Sequence, residues 1–216
     1  MENTSHVMIV GKGAEEFARS QALEMVENNF FDTEMRLNQL KEAQSKKNGQ
    51  QDHDHVPKSA NKMGTVGAVC LDKLGNLAAA TSTGGMTNKM SGRVGDVFFA
   101  NQKKFLLFER TKNVKKKSPI IGSGTYANKN VAISCTGHGE KFISNVVAYD
   151  VVALMEYKGL SLKSASDFVI HKKLVENEGR GGFIAISKDG TFAMPFNTEG
   201  MLRGYIREGE CEVEIY

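Results

Sequence analysis

The chain has 216 residues, 40% of them hydrophobic and 25% charged, with a formal net charge of +3. That length suits one domain, or one and a small appendage, and the composition is ordinary for a globular chain with a core. The basic charge is a local feature and no evidence of a nucleic-acid surface over the whole molecule, because residues 97–117 alone carry +6 and leave −3 for the remainder. No apolar run approaches the roughly 18 residues of a membrane helix. The polar start from Met1 to Ser5 lacks the apolar stretch of a secretory leader. A cytoplasmic address is expected, with no membrane or nucleic-acid partner.

In chain order, residues 13–28 set Phe17, Leu23, Met25 and Val26 among polar residues and predict an amphipathic helix. Asp32 or Thr33 caps a second helix over 34–46, with Met35, Leu37 and Leu40 as its weak stripe. Residues 44–62 are almost wholly polar and read as a linker. At Thr65 the texture changes. Val66 to Leu71 and Leu77 to Thr83 are apolar runs around Asp72-Lys73-Leu74-Gly75-Asn76, which predicts a hairpin of largely buried strands. Residues 84–96 have loop chemistry. Val131 to Cys135 reads as a strand. Phe142, Val146, Tyr149, Ala153 and Met155 predict a helix over 140–157, ended by Gly159. Ser161 caps another reaching about 174, with Leu162, Ala165, Phe168 and Val169 inward. Phe183–Ile186 and Phe192–Phe196 flank Lys188-Asp189-Gly190 as a hairpin. The order implies layered α+β packing with antiparallel strands.

The cysteines Cys70, Cys135 and Cys211 are odd in number and far apart, so neither a disulfide framework nor a CxxC metal site is suggested. Cys70 and Cys135 lie in apolar runs and are expected as buried thiols. His53 and His55 sit in a polar linker without the packed surroundings that orient a ligand, so no metal is expected there.

Three features carry chemistry. Gly64-Thr65 opens a strand after a linker. Thr81-Ser82-Thr83-Gly84-Gly85 sets hydroxyls at a strand end against a glycine pair. Cys135-Thr136-Gly137-His138-Gly139 ends another strand the same way. Glycines there let backbone N–H groups approach a ligand closely. Taken together, Gly64 to Ala80, Ser82 to Lys89, Gly92-Arg93-Val94-Gly95-Asp96 and Ser134 to Glu140 resemble the signature of plant-type L-asparaginases/isoaspartyl peptidases. These are N-terminal-nucleophile hydrolases. The resemblance runs from about His6 to Tyr216, apart from 97–117.

The resemblance implies an αββα sandwich, incomplete at its N-terminus because the family's α-chain begins well before the equivalent of His6. It implies a helical α-chain remnant over 1–43, a linker over 44–64 ending at a self-cleavage site between Gly64 and Thr65, and a catalytic β-chain over 65–216. The freed Thr65 would be the nucleophile, its own α-amine serving as base; such an amine has a pKa of roughly 7.7–8.0. Thr83 would tune its hydroxyl, and Thr136 with the Gly137 N–H would form the oxyanion hole. Arg93 and Asp96, in the Arg93-Val94-Gly95-Asp96 segment, would grip the α-carboxylate and α-ammonium of a free amino-acid end. Thr136, Gly137, His138 and Gly139 would complete the substrate site, with the backbone of His138 mattering more than its ring.

The substrate class implied is asparagine or a β-aspartyl dipeptide. No cofactor enters the chemistry, and the family's structural sodium or potassium site falls in the part preceding this chain. A competent enzyme would be a dimer of αβ units. Other readings are an inactive truncated product that associates with full-length subunits, a threonine endopeptidase, or a glycosylasparaginase. Asp96 argues against the endopeptidase, and Gly84 to Lys89 against the glycosyl branch. The basic insert 97–117 reads as a solvated loop, as a basic amphipathic arm, or as translated intron, since valine codons begin with GT and a lysine codon can end in AG.

Overall fold

The computed structural model describes residues 3–6, 9, 11–45, 64–90, 93, 95–96 and 120–216. Most of the linker 44–64, the histidines at 53 and 55, Val94 and the insert 97–117 therefore lie outside the described residues. Helix α1 (Gly11–Ser20) is followed by a 3₁₀ turn at Asn28–Phe31 and helix α2 (Glu34–Ser45). The first helix is shorter than its apolar spacing predicts, because Ala22 turns left-handed at φ 53° and ends the winding.

Strands β1 (Val66–Leu71) and β2 (Leu77–Ser82) form an antiparallel hairpin in register Val66↔Ser82 through Leu71↔Leu77. Its turn is built by Asp72. Oδ1 accepts the N–H groups of Leu74 and Asn76, both at 2.8 Å, and Oδ2 accepts the Asn76 amide at 2.7 Å. Those bonds hold the Asp72 carboxyl below the usual carboxylate range.

A four-stranded antiparallel sheet has the order β3 (Thr125–Ala127), β4 (Val131–Gly137), β5 (Gly181–Ser187), β6 (Phe192–Ala193). Between β4 and β5 run helices α3 (Gly139–Asn145), α4 (Val147–Lys158), α5 (Leu162–Asp167), a π-helical segment Phe168–Lys173, and α6 (Leu174–Glu176). A last hairpin joins β7 (Arg203–Arg207) to β8 (Glu210–Glu214). Among the described residues no helix is long and apolar enough to cross a membrane.

Side-chain alternation along β4 sets the layers. Val131, Ile133 and Cys135 are buried among Phe142, Val147, Val151, Val152, Ile170 and Leu174 of the helices. Ala132, Ser134 and Thr136 face the other way, where Ser134 meets Thr81 of the hairpin. The sheet is thus covered by helices on one face and by β1–β2 on the other. This is α+β packing with antiparallel sheets, as expected.

Four further details depart from the sequence reading. The helix expected over 140–157 is broken at Val146, left-handed at φ 48°. The break frees the first N–H groups of α4, and the carbonyls of Ser123 and Gly122 accept from Ala148 and Tyr149 at 3.2 and 2.8 Å. Phe168 is exposed rather than inward, because the π segment rotates the buried face onto Ile170 and Leu174. Cys70 is exposed, not buried. It lies with Val66 and Ala68 on the outer face of β1, away from the four-stranded sheet. The strands β3, β7 and β8 have no counterpart in the sequence reading. At the other helix ends the expectation holds: Gly159 is left-handed after α4, and Ser161 Oγ accepts the Ser164 N–H at 3.2 Å.

Phe142 is fully buried and packs under the end of β4. Phe142→Ala is expected to lower the unfolding free energy by about 3–5 kcal/mol, whereas Val175→Ala, on an exposed helix position, should stay within about 0.5 kcal/mol. Urea denaturation of both variants checks the difference.

Candidate active site

Thr65 precedes β1 by one residue and Thr83 follows β2 by one. The pair Val66↔Ser82 is the last of the ladder, so the two threonines stand at the same open end of the hairpin. Both are half-buried, while Gly64 is exposed. Thr83 Oγ1 accepts the Gly85 N–H at 2.9 Å, which curls the loop back under the strand end.

Thr136 and Gly137 finish β4 opposite Gly182 and Gly181. Gly137 has φ 152° and Gly181 φ 150°, a region costly for side chains. A Cβ on Gly137 would sit 2.5 Å from the Arg180 carbonyl oxygen and from a Phe142 ring carbon. Backbone lies directly on backbone here. Asn197 clamps the arrangement: its Oδ1 accepts the Gly181 N–H at 2.7 Å, and its amide donates to the Gly179 carbonyl at 3.0 Å. The His138 backbone N–H donates to the Arg180 carbonyl at 2.9 Å, and its carbonyl accepts the N–H groups of Lys141 and Phe142 in α3. Its side chain makes no capping bond.

The bare backbone at Gly139 is where two expected substrate-binding residues meet. A Cβ there would lie 2.7 Å from Asp96 Oδ1 and 2.9 Å from Arg93 Nη2. Asp96 is buried, as is Gly95. Glu140, the next residue along, takes the Arg93 fork: Nε donates to Oε1 at 2.5 Å and Nη2 to Oε2 at 2.8 Å. The bond to Glu140 raises the Arg93 pKa, with the charge of Asp96 adding to it, and the same bond lowers that of Glu140. Burial pushes the Cys135 thiol well up, helped by the charge of Asp96 nearby. An inert, neutral thiol is the result.

The structure therefore brings Arg93, Gly95, Asp96 and Gly139 together, and separately places Thr65 beside Thr83 at one hairpin end and Thr136 beside Gly137 at one strand end. Glu140 and Asn197 were given no role by spacing. Glu140 stands within the recognised segment, but nothing in its local sequence names a partner 47 positions away. Among the described residues, no three His, Cys, Asp or Glu side chains gather as metal ligands.

An α+β layering of antiparallel sheets with helices behind them, carrying threonines at strand ends over a glycine-lined backbone, suits a hydrolase of the N-terminal-nucleophile type. The family model described as asparaginase, which is of that type, matches residues 1–100 and 116–215. The chain belongs to that family. It is 48% identical to the isoaspartyl peptidase of Salmonella typhimurium over 212 residues, covering 97% of this chain and 61% of the relative. Identity to the Escherichia coli isoaspartyl peptidase is also 48%, over 97% of this chain and 60% of the relative. The isoaspartyl peptidase/L-asparaginase of Danio rerio is 34% identical, over 100% of this chain and 61% of the relative. The chain thus spans about three fifths of the length of these relatives. Residues 101–115, inside the expected insert, fall outside the family match.

The Arg93–Glu140 pair gives a pH test. Glu140 has a depressed folded pKa, so its contribution is present above the unfolded value, about 4.3, and is lost as pH falls through the folded one. Its side chain is 58% exposed, which limits the pair to about 1 kcal/mol. Glu140→Gln should be less stable than the parent by at most that much at pH 7, and by less at pH 3. Urea melts at the two pH values check this.

Proposed function

We propose that this chain hydrolyses L-asparagine and β-aspartyl dipeptides through the hydroxyl of Thr65, after scission of the Gly64–Thr65 bond. One observation carries the reading of substrate: a guanidinium and a carboxylate converge on side-chain-free backbone at Gly139. That pairing of opposite charges matches the α-carboxylate and α-ammonium of one amino-acid end, held in two places at once. The names of the relatives support the same class. Asp96 favours a free α-ammonium over the interior of a polypeptide.

In the proposed reaction, Thr65 Oγ1 first attacks the Gly64 carbonyl carbon. The Gly64–Thr65 amide nitrogen leaves as the new α-amine, and water hydrolyses the resulting ester. In turnover, that amine takes the hydroxyl proton as Oγ1 attacks the side-chain carbonyl of the substrate. The charge on the tetrahedral oxygen is met by the Thr136 hydroxyl and the Gly137 N–H, worth roughly 10²–10³ in rate for each donor. Collapse expels ammonia, or the amine of the next residue, carrying the transferred proton. Water then cleaves the β-aspartyl ester and regenerates the threonine. Only water is consumed, and electrons remain paired throughout.

Intact mass after incubation at neutral pH is the first test. Two fragments meeting at Gly64/Thr65, and release of aspartate from asparagine and from an isoaspartyl dipeptide, are expected. A single uncut chain without turnover would overturn the proposal. Thr65→Ala should abolish both cleavage and hydrolysis. Arg93→Ala should cleave normally yet lose kcat/KM by roughly tenfold to a hundredfold through KM, as expected for a lost charge-assisted contact; an unchanged kcat/KM would remove Arg93 from the substrate site.

A further inference from the structure

Between the hairpin and the four-stranded sheet lies a set of hydroxyls that the proposed reaction does not use. Thr81 Oγ1 is bonded to Ser134 Oγ at 2.6 Å and to Thr125 Oγ1 at 2.5 Å. Thr81 and Ser134 are buried, at 1% and 3% exposure. Opposite Thr81 on β1 stands Gly67, where a Cβ would lie 2.3 Å from Ser134 Oγ. The missing side chain is what admits the Ser134 hydroxyl.

The placement of these residues is periodic. Side chains two apart on a strand share a face. Gly67 is two residues from Thr65, Thr81 two from Thr83, and Ser134 two from Thr136. The three proposed reactive threonines thus continue the three chain segments that this cluster ties together. We infer that Thr81, bonded to Ser134 and Thr125, is a positioning residue that sets where the hairpin end carrying Thr65 and Thr83 lies over the β4 end carrying Thr136. The inference rests on the Thr65 reading above.

The physical case is one of direction. Burying hydroxyls gains little net stability over apolar groups of the same shape, and the neighbouring inward positions Val69, Ala79 and Ile184 are apolar. Apolar burial is non-directional, whereas paired hydroxyls have one good alignment. A nucleophile misplaced by about 1 Å can lose roughly 10² in rate. Removing Thr81 Oγ1 alone also strips a partner from the buried Ser134 hydroxyl and so lowers stability, which is why the effect on rate is compared with Tm.

Thr81→Val keeps the shape and removes the hydroxyl; Thr81→Ser keeps the hydroxyl and removes a methyl. Both are compared in the 216-residue chain for rate of self-cleavage, then for kcat and KM after cleavage, with thermal melts of each. Thr81→Val is expected to slow self-cleavage and to lower kcat by roughly tenfold to a hundredfold, with KM within twofold of the parent. Thr81→Ser should recover kcat to within about threefold despite a lower Tm. A Thr81→Val chain with parental rates overturns the inference alone, and so does a kcat that follows Tm in both variants. A parent that neither cuts nor turns over overturns the Thr65 reading and this inference with it.

Discussion

The contact between Ser134 and Thr81, admitted by the bare backbone at Gly67, is the constraint on which the site's layout depends. With the Thr81–Thr125 bond beside it, it is a polar fastening of the hairpin onto the sheet, next to the apolar Val69, Ala79 and Ile184. The helices on the far side hold β4 flat by burying Val131, Ile133 and Cys135. With β4 held from one side and the hairpin aligned from the other, the strand ends at Thr65, Thr83 and Thr136 are defined relative to a rigid frame. Binding groups placed on such frames keep their geometry better than groups on loops.

Charge at the site is arranged along a gradient of burial. Asp96 is buried against Gly139, Arg93 is mostly covered, and Glu140 is largely in solvent. The outer carboxylate occupies the Nε edge of the guanidinium, which restrains the arginine plane. The inner carboxylate leans its charge on the same group. An arginine alone would be a flexible cation on a loop; between two carboxylates its side-chain orientation is determined before any ligand arrives. Pre-ordering of this kind lowers the entropy cost of binding.

Much of this was legible in the chain itself because it is local. The β1–β2 hairpin follows from two apolar runs around Asp72 to Asn76, and the stop and restart at Gly159 and Ser161 follow from two residues with known capping habits. The recognised segments brought Arg93, Asp96 and Gly139 onto one short list, and the fold puts them in one place. What was not legible is non-local. Thr81 and Ser134 are 53 positions apart, and period two says which residues share a face without saying what lies opposite. Cys70 shows the same blindness: an apolar run locates a strand, yet which of its faces is covered depends on a second layer. The break at Val146 was hidden for a related reason, since the carbonyls of Gly122 and Ser123, distant in sequence, take up the N–H groups that the break leaves at the start of α4.

The position of the proposed cut fits this distribution of restraints. Chain scission ordinarily releases a strand end to fray, and a nucleophile one residue before a strand would then be lost to motion. Here β1 is held by six cross-strand partners from Val66 to Leu71 and by the close approach of Ser134 to Gly67. Gly64 is exposed, and a side chain there would touch nothing within 4 Å, so the residue before the cut contributes no packing to the strand after it. Breaking the bond at that point would leave the β1 ladder and the Ser134 contact on the new terminus in place. A threonine can serve as both nucleophile and base only if its α-amine is freed without its hydroxyl moving. Under the proposed reading, the hairpin end at Thr65 meets both demands, because β1 is restrained from Val66 onward.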